Sequence, residues 1–491
     1  MHKMIKSEFI SSDMSENKNA INLTGHQQSA FDKMVEFVNS PDRRVFILRG
    51  YAGTGKTTMM RVFIDHLNKT NVHYRLLAST GRAAKILNNA TGCDATTIHG
   101  LIYKFKDINE NLEDVIKKRE TVGMDSSGQL FLKFDLTPVK DNNEEICYIV
   151  DEASMVSDNL DKQSSQAVFG TGKLLSDLLA YDPHGKFIFV GDSCQLPPVN
   201  QKMSPALNVG YFKQMHSIDA NETELTEVLR QANGNDIVHS AKKMRQLYYN
   251  PQPWKWAKFP MKGYNNIKIL PSQARLMELY VRDVKENGFN EATMLCYSNS
   301  QSNTLTNIIR PQFGKLGTTL QVGDLLLVTQ NNLISGLLNG DLVVVNEIGG
   351  STMRAGLTFL KVSLKELSSN KCYSQYLIEE ILYQNATNLT QEQQTDLYID
   401  FFIRMKNKGI KQGTKSFEDM MREDPYLNAL RAVFGYALAC HKAQGGEWNR
   451  VYLDIPRNLP LVEKPYVYQW MYTAMTRARQ ELYIVDDFWI M

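Results

Sequence analysis

Several features are scarce or missing in this 491-residue chain, and each absence excludes something. Cysteine is sparse: Cys93, Cys147, Cys194, Cys296, Cys372 and Cys440 lie far apart, and none form a C-x-x-C pair. That spacing argues against a zinc knuckle or a disulfide framework. Cysteines inside apolar runs read as small core residues. Net charge is only +2. With so weak a whole-molecule field, any nucleic acid must bind in a local groove. No apolar run approaches the ~20 residues of a membrane span. The polar stretch Met1–Ala20 lacks the apolar core of a signal peptide. No short repeat recurs. The expectation is a reduced, cytoplasmic chain with no membrane partner, built from two to four domains.

What is present is an α/β pattern. Residues 1–20 read as a loose tail. A helix is expected over His26–Asn39, with Ala30, Phe31, Met34, Val35 and Val38 on one face. Apolar runs then alternate with helical or polar stretches: Val45–Leu48, Arg75–Ala78, Ile146–Val150 and Phe187–Val190. Such runs lack period-2 alternation, as strands buried on both faces do, and imply a parallel sheet. A second α/β pattern is split between Ala292–Tyr297 and the C-terminal runs Arg450–Ile455 and Glu481–Val485. Between them, short strands after Gly-Asp turns at Gly323 and Gly340 suggest a small inserted β-barrel, followed by helical pieces such as Leu397–Lys406.

The chemistry begins at Gly50-Tyr51-Ala52-Gly53-Thr54-Gly55-Lys56-Thr57, a G-x-x-x-x-G-K-T loop between an expected strand and a helix beginning near Thr58. Backbone N–H groups there can wrap a polyphosphate, Lys56 would reach the β- and γ-phosphates, and Thr57 would hold Mg²⁺. Farther on, Ile146–Val150 ends in Asp151-Glu152. Asp151 at a strand tip can share that Mg²⁺, and Glu152 can orient and deprotonate water, so hydrolysis of ATP is expected. Gln195 follows another strand; its amide can sense a γ-phosphate, or the segment is simply a turn stopped by Pro197-Pro198.

These segments resemble the 5′→3′ branch of the superfamily 1 helicases, over nearly the whole chain and in the family's motif order. Leu23–Gln27 resembles the adenine-reading glutamine motif, and Ala78–Lys85 and Thr96–His99 the early strand-contacting motifs. Asp151–Met155, Gly191–Val199, Leu225–Gln231, His441–Gly446 and Tyr472–Ala478 match the later ones. The resemblance implies a nucleotide site of Gln27, Gly50, Gly53, Thr54, Gly55, Lys56, Thr57, Thr58 and Gly445. Lys56, Glu152, Gln195, Arg230 and Arg477 would act on ATP. Taken alone, Arg477 reads as a solvated helix charge; the resemblance makes it a finger reaching across a cleft. Thr80, Arg82, Thr97, His99, His441 and Lys442 would contact single-stranded DNA, although His99 and His441 also read as structural histidines. Ala439 departs from the pattern, standing where relatives often carry Thr.

The implied architecture is two RecA-like lobes: 21–102 with 144–240, and 241–310 with 430–491. A strand-separating pin occupies 103–143, with Phe131 either its aromatic tip or packed on its own lobe. The β-barrel and helical insertion occupies 311–429. Trp254–Phe259 reads as a stacking platform or as interdomain core. The implied activity is ATP-dependent, Mg²⁺-requiring 5′→3′ DNA unwinding by a monomer. Its partners would be single-stranded DNA, fork duplex, and single-strand-binding or replication proteins, in a host's cytoplasm if the chain is phage-encoded. The rival readings are a translocase that strips proteins but unwinds poorly, a small-molecule P-loop kinase, and an ATP-gated DNA-binding module.

Overall fold

A computed structural model describes residues 22–122, 132–139, 145–160, 167–228, 235–384 and 386–491. The N-terminal tail, Phe131 and Arg230 lie outside them.

Among the described residues, the strands of the N-terminal half are β1 (Val45–Gly50), β2 (Tyr74–Ala78), β3 (Ala95–Thr97), β4 (Tyr103–Ile108), β5 (Leu132–Leu136), β6 (Cys147–Asp151), β7 (Ala167–Phe169), β8 (Lys186–Gly191) and β9 (Asn221–Leu225). Six make one parallel sheet in the order β3-β2-β6-β8-β1-β9. Its apolar runs bury alternate residues on opposite faces. Val45, Ile47, Val150, Phe187 and Phe189 enter one core, while Phe46, Leu48, Ile149, Ile188 and Val190 enter the other. Helices cover both faces, which is why the sequence shows runs instead of alternation. The first helix spans Gly25–Asn39, held by a Thr24–Gln27 capping box, and buries Phe37 along with Ala30 and Met34.

The C-terminal half adds β10 (Ile267–Leu270), β11 (Ala292–Cys296), β12 (Leu325–Val328), β13 (Leu342–Arg354), β14 (Leu357–Glu366), β15 (Cys372–Ile378), β16 (Ala432–Phe434), β17 (Leu438–Ala439), β18 (Trp448–Leu453) and β19 (Ala478–Val485). A second parallel sheet runs β10-β19-β18-β11-β17. Both parallel sheets of the expected α/β class are therefore present. The insertion is a five-stranded antiparallel sheet, β15-β14-β13-β12-β16, with a single bridge between Leu377 and Leu430.

Three boundaries differ from the sequence reading. Helix Ile237–Tyr249 buries Ile237, Ala241 and Met244 in the second lobe's core, so that lobe begins before 241. Strand β16 pairs with β12, so the insertion runs past 429 to Phe434. The short sheet after the first lobe's early strands orders as β4-β5-β7, so Ala167–Phe169 joins the pin region. Nothing local in those stretches distinguishes one core from the next; burial partners decide it. The pin region also meets the helical insertion, where Ile108, Leu112 and Val115 pack with Phe401, Phe402, Met405 and Phe417. Within Trp254–Phe259, Trp254 is exposed. Ala257 and Phe259 are buried in the second lobe, and Trp256 packs edge-on against Phe488.

Candidate nucleotide cleft and strand-binding cleft

The strands β1, β6 and β8 end side by side at the junction of the lobes, the position where parallel sheets gather ligands. After β1 the chain turns through Tyr51–Gly55 and becomes helical at Lys56, two residues before the sequence-based start. Gly53 and Gly55 have φ of 81° and 79°, a left-handed turn that a side chain would strain. The turn aims the helix's unpaired N–H groups into the cleft. At Gly50 a Cβ would come within 2.9 Å of Lys56 Cγ and Thr54 Oγ1. The Lys56 ammonium donates to the carbonyls of Gly50 (2.6 Å) and Tyr51 (3.2 Å). Gln27 is buried behind the loop. Its amide accepts from Thr24 N–H and donates to the Thr54 carbonyl, both at 3.1 Å, so here it braces the loop.

A cleft of about 1310 Å³ brings Gly53, Gly55, Lys56, Thr57, Thr58, Asp151, Glu152 and Gln195 of the first lobe together with Gly445 and Arg477 of the second. Asp151 accepts from the Glu152 N–H at 2.8 Å. Burial, then the neighbouring Glu152 charge, raises the Asp151 pKa well above the carboxylate range. Thr57 and Asp151 offer one hydroxyl and one carboxylate, the sparse protein donor set that suits a hard cation completed by phosphate and water. Glu152 holds φ 50° and ψ 39°, a left-handed conformation uncommon for a non-glycine residue. Gln195 is 4% exposed, and its Oε1 has no hydrogen-bond partner, a buried acceptor facing a polar cleft. Arg477 is 3% exposed and donates to the carbonyls of Thr473 (3.0 Å) and Gly446 (3.3 Å) and to the Thr476 hydroxyl (3.3 Å).

Behind this cleft the lobes are stitched by residues that the sequence reading did not single out. Tyr472 accepts from the Ala52 N–H at 3.0 Å and donates to Asp192 at 2.6 Å. Thr473 accepts from the Leu196 N–H at 2.9 Å, and Gln444 donates to the Leu196 carbonyl at 3.3 Å. Gln469 donates to the carbonyls of Ser193 and Gln195, both at 3.3 Å. Arg245 lies 3.5 Å above the Tyr51 ring. Tyr472, Thr473 and Gln444 stood inside recognised motifs; Gln469 and Arg245 carried no sequence signal.

A second cleft, about 1070 Å³, gathers Thr80, Arg82, Thr97, His99, His441 and Lys442. Phe169, Asn331 and Asn339 join them without any sequence signal. Thr80 and Thr97 also cap the helices that follow them. His99 packs edge-on against Phe169 with ring centroids 5.1 Å apart. His441 meets the Tyr466 hydroxyl at 3.2 Å, and burial, then Lys442, lowers its pKa, keeping it neutral at pH 7. Arg82 lines both clefts. Its guanidinium lies 4.8 Å over the Trp448 ring, and its Nη1 donates to the Gly340 carbonyl at 3.4 Å. Both partners belong to the C-terminal half.

Residues 22–247 match the family model of an AAA domain, and 434–485 match that of a UvrD-like helicase C-terminal domain. The chain is 24% identical over 473 residues to the ATP-dependent RecD2 DNA helicase of Deinococcus radiodurans, covering 94% of this chain and 48% of that protein. It is 24% identical over 498 residues to the ATP-dependent DNA helicase dda of Enterobacteria phage T4, covering 94% of this chain and 99% of that protein. Among solved structures, a Pif1 helicase from Bacteroides, in complex with ADP-AlF3 and single-stranded DNA, aligns at a TM-score of 0.46 and 16% identity. That alignment covers 96% of this chain and 93% of that one. Among the described residues, no helix is long and apolar enough to cross a membrane.

Proposed function

We propose that this chain, which is similar in sequence to the superfamily 1 helicases, is an ATP-hydrolysing DNA helicase that moves 5′→3′ along single-stranded DNA and opens duplex at a fork. One observation carries the reading. The P-loop, Asp151, Glu152 and Gln195 share a cleft with Arg477 of the opposite lobe, while a separate cleft gathers the strand-contact residues. A small-molecule kinase needs an acceptor pocket, not an arginine from a second α/β lobe.

The chemistry follows from what each group can do. Lys56 leaves the carbonyls of Gly50 and Tyr51 for the β- and γ-phosphates. Thr57 and Asp151 would hold Mg²⁺, which neutralises charge on the phosphates when bound. Glu152 orients a water and takes its proton. The orphan Oε1 of Gln195 can accept from that water. Arg477 exchanges the Thr473 and Gly446 carbonyls for charge developing on the γ-phosphate. Arg230 is proposed as a further γ-phosphate contact from the motif alone. Single-stranded DNA would run through the second cleft, with polar contacts from Thr80, Thr97, Asn331 and Asn339 and stacking on Phe169. Polarity rests on the family resemblance.

The test mixes enzyme, ATP and Mg²⁺ with duplexes carrying a 5′ or a 3′ single-stranded tail. Strand separation from the 5′ tail is expected. Opening only from the 3′ tail would reverse the polarity. DNA-stimulated hydrolysis with protein displacement but no strand separation would leave a translocase. ATP turnover indifferent to DNA would overturn the motor reading.

A further inference from the structure

The helix Gly81–Thr91 is the wall between the two clefts. Its N-cap Thr80 lines the strand cleft, Arg82 lines both, and Ala83 and Lys85 line the nucleotide cleft. The first turn is pressed against the β-insertion: a Cβ at Gly81 would fall 2.6 Å from the Leu338 side chain. One turn later, the Lys85 ammonium sits 2.5 Å from Asp341 Oδ2 and 3.0 Å from Glu366 Oε1.

Those two carboxylates form a receptacle built entirely by the insertion. Glu366 is 2% exposed and accepts from the hydroxyls of Ser368 and Ser369, both at 2.6 Å, and of Tyr373 at 3.1 Å. Asp341 is 5% exposed and accepts from the Leu338 N–H at 2.7 Å. None of these bonds needs the first lobe, so the insertion can form the receptacle without Lys85. Among the described residues, the ion pairs to these two buried carboxylates come from Lys85 of the first lobe. Buried like charges of this kind demand a counter-charge, and Lys85 supplies it only when the helix is docked. An exposed lysine pair would contribute little, but here the acceptors are desolvated on the insertion's side.

We propose that Lys85, seated between Asp341 and Glu366, is a positioning residue that ties occupancy of the strand cleft to turnover in the nucleotide cleft. The docked helix fixes Thr80 and Arg82 at the strand and, through the same rigid turn, fixes the wall beside Gly445, whose nearest neighbour on a built Cβ is Ala83 at 3.7 Å. The inference rests on the motor reading above.

The experiment compares wild type with Lys85→Met, Glu366→Gln and the double variant. Methionine keeps the aliphatic stem and removes the charge. Two readouts are taken: ATP turnover with and without a single-stranded oligonucleotide, and amide hydrogen exchange of residues 83–91 in the DNA-free protein. We expect each single variant to cut the DNA-stimulated kcat about tenfold, within the usual range of coupling between sites. The KM for ATP should hold, DNA-free turnover of Glu366→Gln should hold, and helix exchange should accelerate. The double variant should be no worse than either single one, because the groups act as a pair. Additive losses, or DNA stimulation equal to wild type in Lys85→Met, would overturn the proposal. Wild type lacking DNA stimulation would instead defeat the motor reading. In that case, unchanged helix exchange in Lys85→Met would overturn the docking role too, and accelerated exchange would support it.

Discussion

At the scale of the residue, Glu152 shows how local cost and chemistry coincide. A non-glycine residue in the left-handed region costs of order 1–3 kcal/mol and persists only where its surroundings fix it. Here β6 ends one residue earlier, and the Glu152 N–H is taken by Asp151. Glu152→Gln keeps the size and removes the proposed base; kcat for ATP should drop about 10²–10⁴-fold with nucleotide binding retained, measured by steady-state turnover and equilibrium titration. Arg477→Ala should reduce kcat by about 10³–10⁵-fold, while Lys56→Ala should remove turnover together with tight triphosphate binding. Glu366 governs a different observable. Burial opposes its ionisation, but hydrogen bonds from Ser368, Ser369 and Lys85 outweigh it and hold the pKa at about 2. A depressed carboxylate stabilises the fold above its unfolded value of about 4.3, and that stability fades as pH falls toward 2. Wild type should therefore lose thermal stability from about pH 4 to pH 2 more steeply than Glu366→Gln.

At the scale of the element, helix Tyr466–Met475 is the second lobe's grip on the first. It is apolar along one side and buries Trp470, Met471, Ala474 and Met475 in its own lobe. Tyr472, Thr473 and Gln469 reach from it to Ala52, Asp192 and the backbone of Ser193–Leu196. Tyr472→Phe leaves the buried Asp192 carboxylate short of a donor, a loss of about 1–3 kcal/mol. The expected result is a lower thermal midpoint and a raised KM for ATP, because the same hydroxyl holds the P-loop's Ala52. The packing of Leu112 on the helical insertion is a second element-level test. Leu112→Ala should cost about 2–5 kcal/mol locally. Hydrogen exchange should quicken in helices Gln391–Asn407 and Lys415–Glu423 and stay unchanged in β1 and β8.

At the scale of the whole molecule, a net charge of +2 leaves binding to local groups. Among the described residues lining the strand cleft, Arg82 and Lys442 carry the formal positive charges, and His441 is kept neutral. Each phosphate neutralised on a single strand contributes a log–log salt slope of about −0.7, so binding should fall with a slope near about −1.4. A slope several-fold steeper, from oligonucleotide titrations across salt concentrations, would mean that strand contacts extend well beyond this cleft. The two clefts share one wall, Gly81–Thr91, and under the proposed coupling this arrangement would connect a strand to a nucleotide through packing and buried charge instead of long-range attraction.

The sequence by itself determined the parallel strands and the P-loop. Their signals are local: apolar runs buried on both faces, glycines in a tight loop, and a carboxylate pair at a strand's tip. Motif residues such as Thr80, His99, His441 and Arg477 line the clefts, whereas Gln27, Gly50 and Thr54, equally part of motifs, are not among the lining residues. Tertiary structure alone decided the rest. That Gln27 braces the loop, that Arg82 is held between Trp448 and Gly340, and that Lys85 finds Asp341 and Glu366 are contacts between segments far apart in the chain. The membership of helix Ile237–Tyr249 in the second lobe and of β16 in the insertion has the same origin. An apolar face does not encode which core it will enter, nor a charge which partner it will meet; both are settled when the lobes pack.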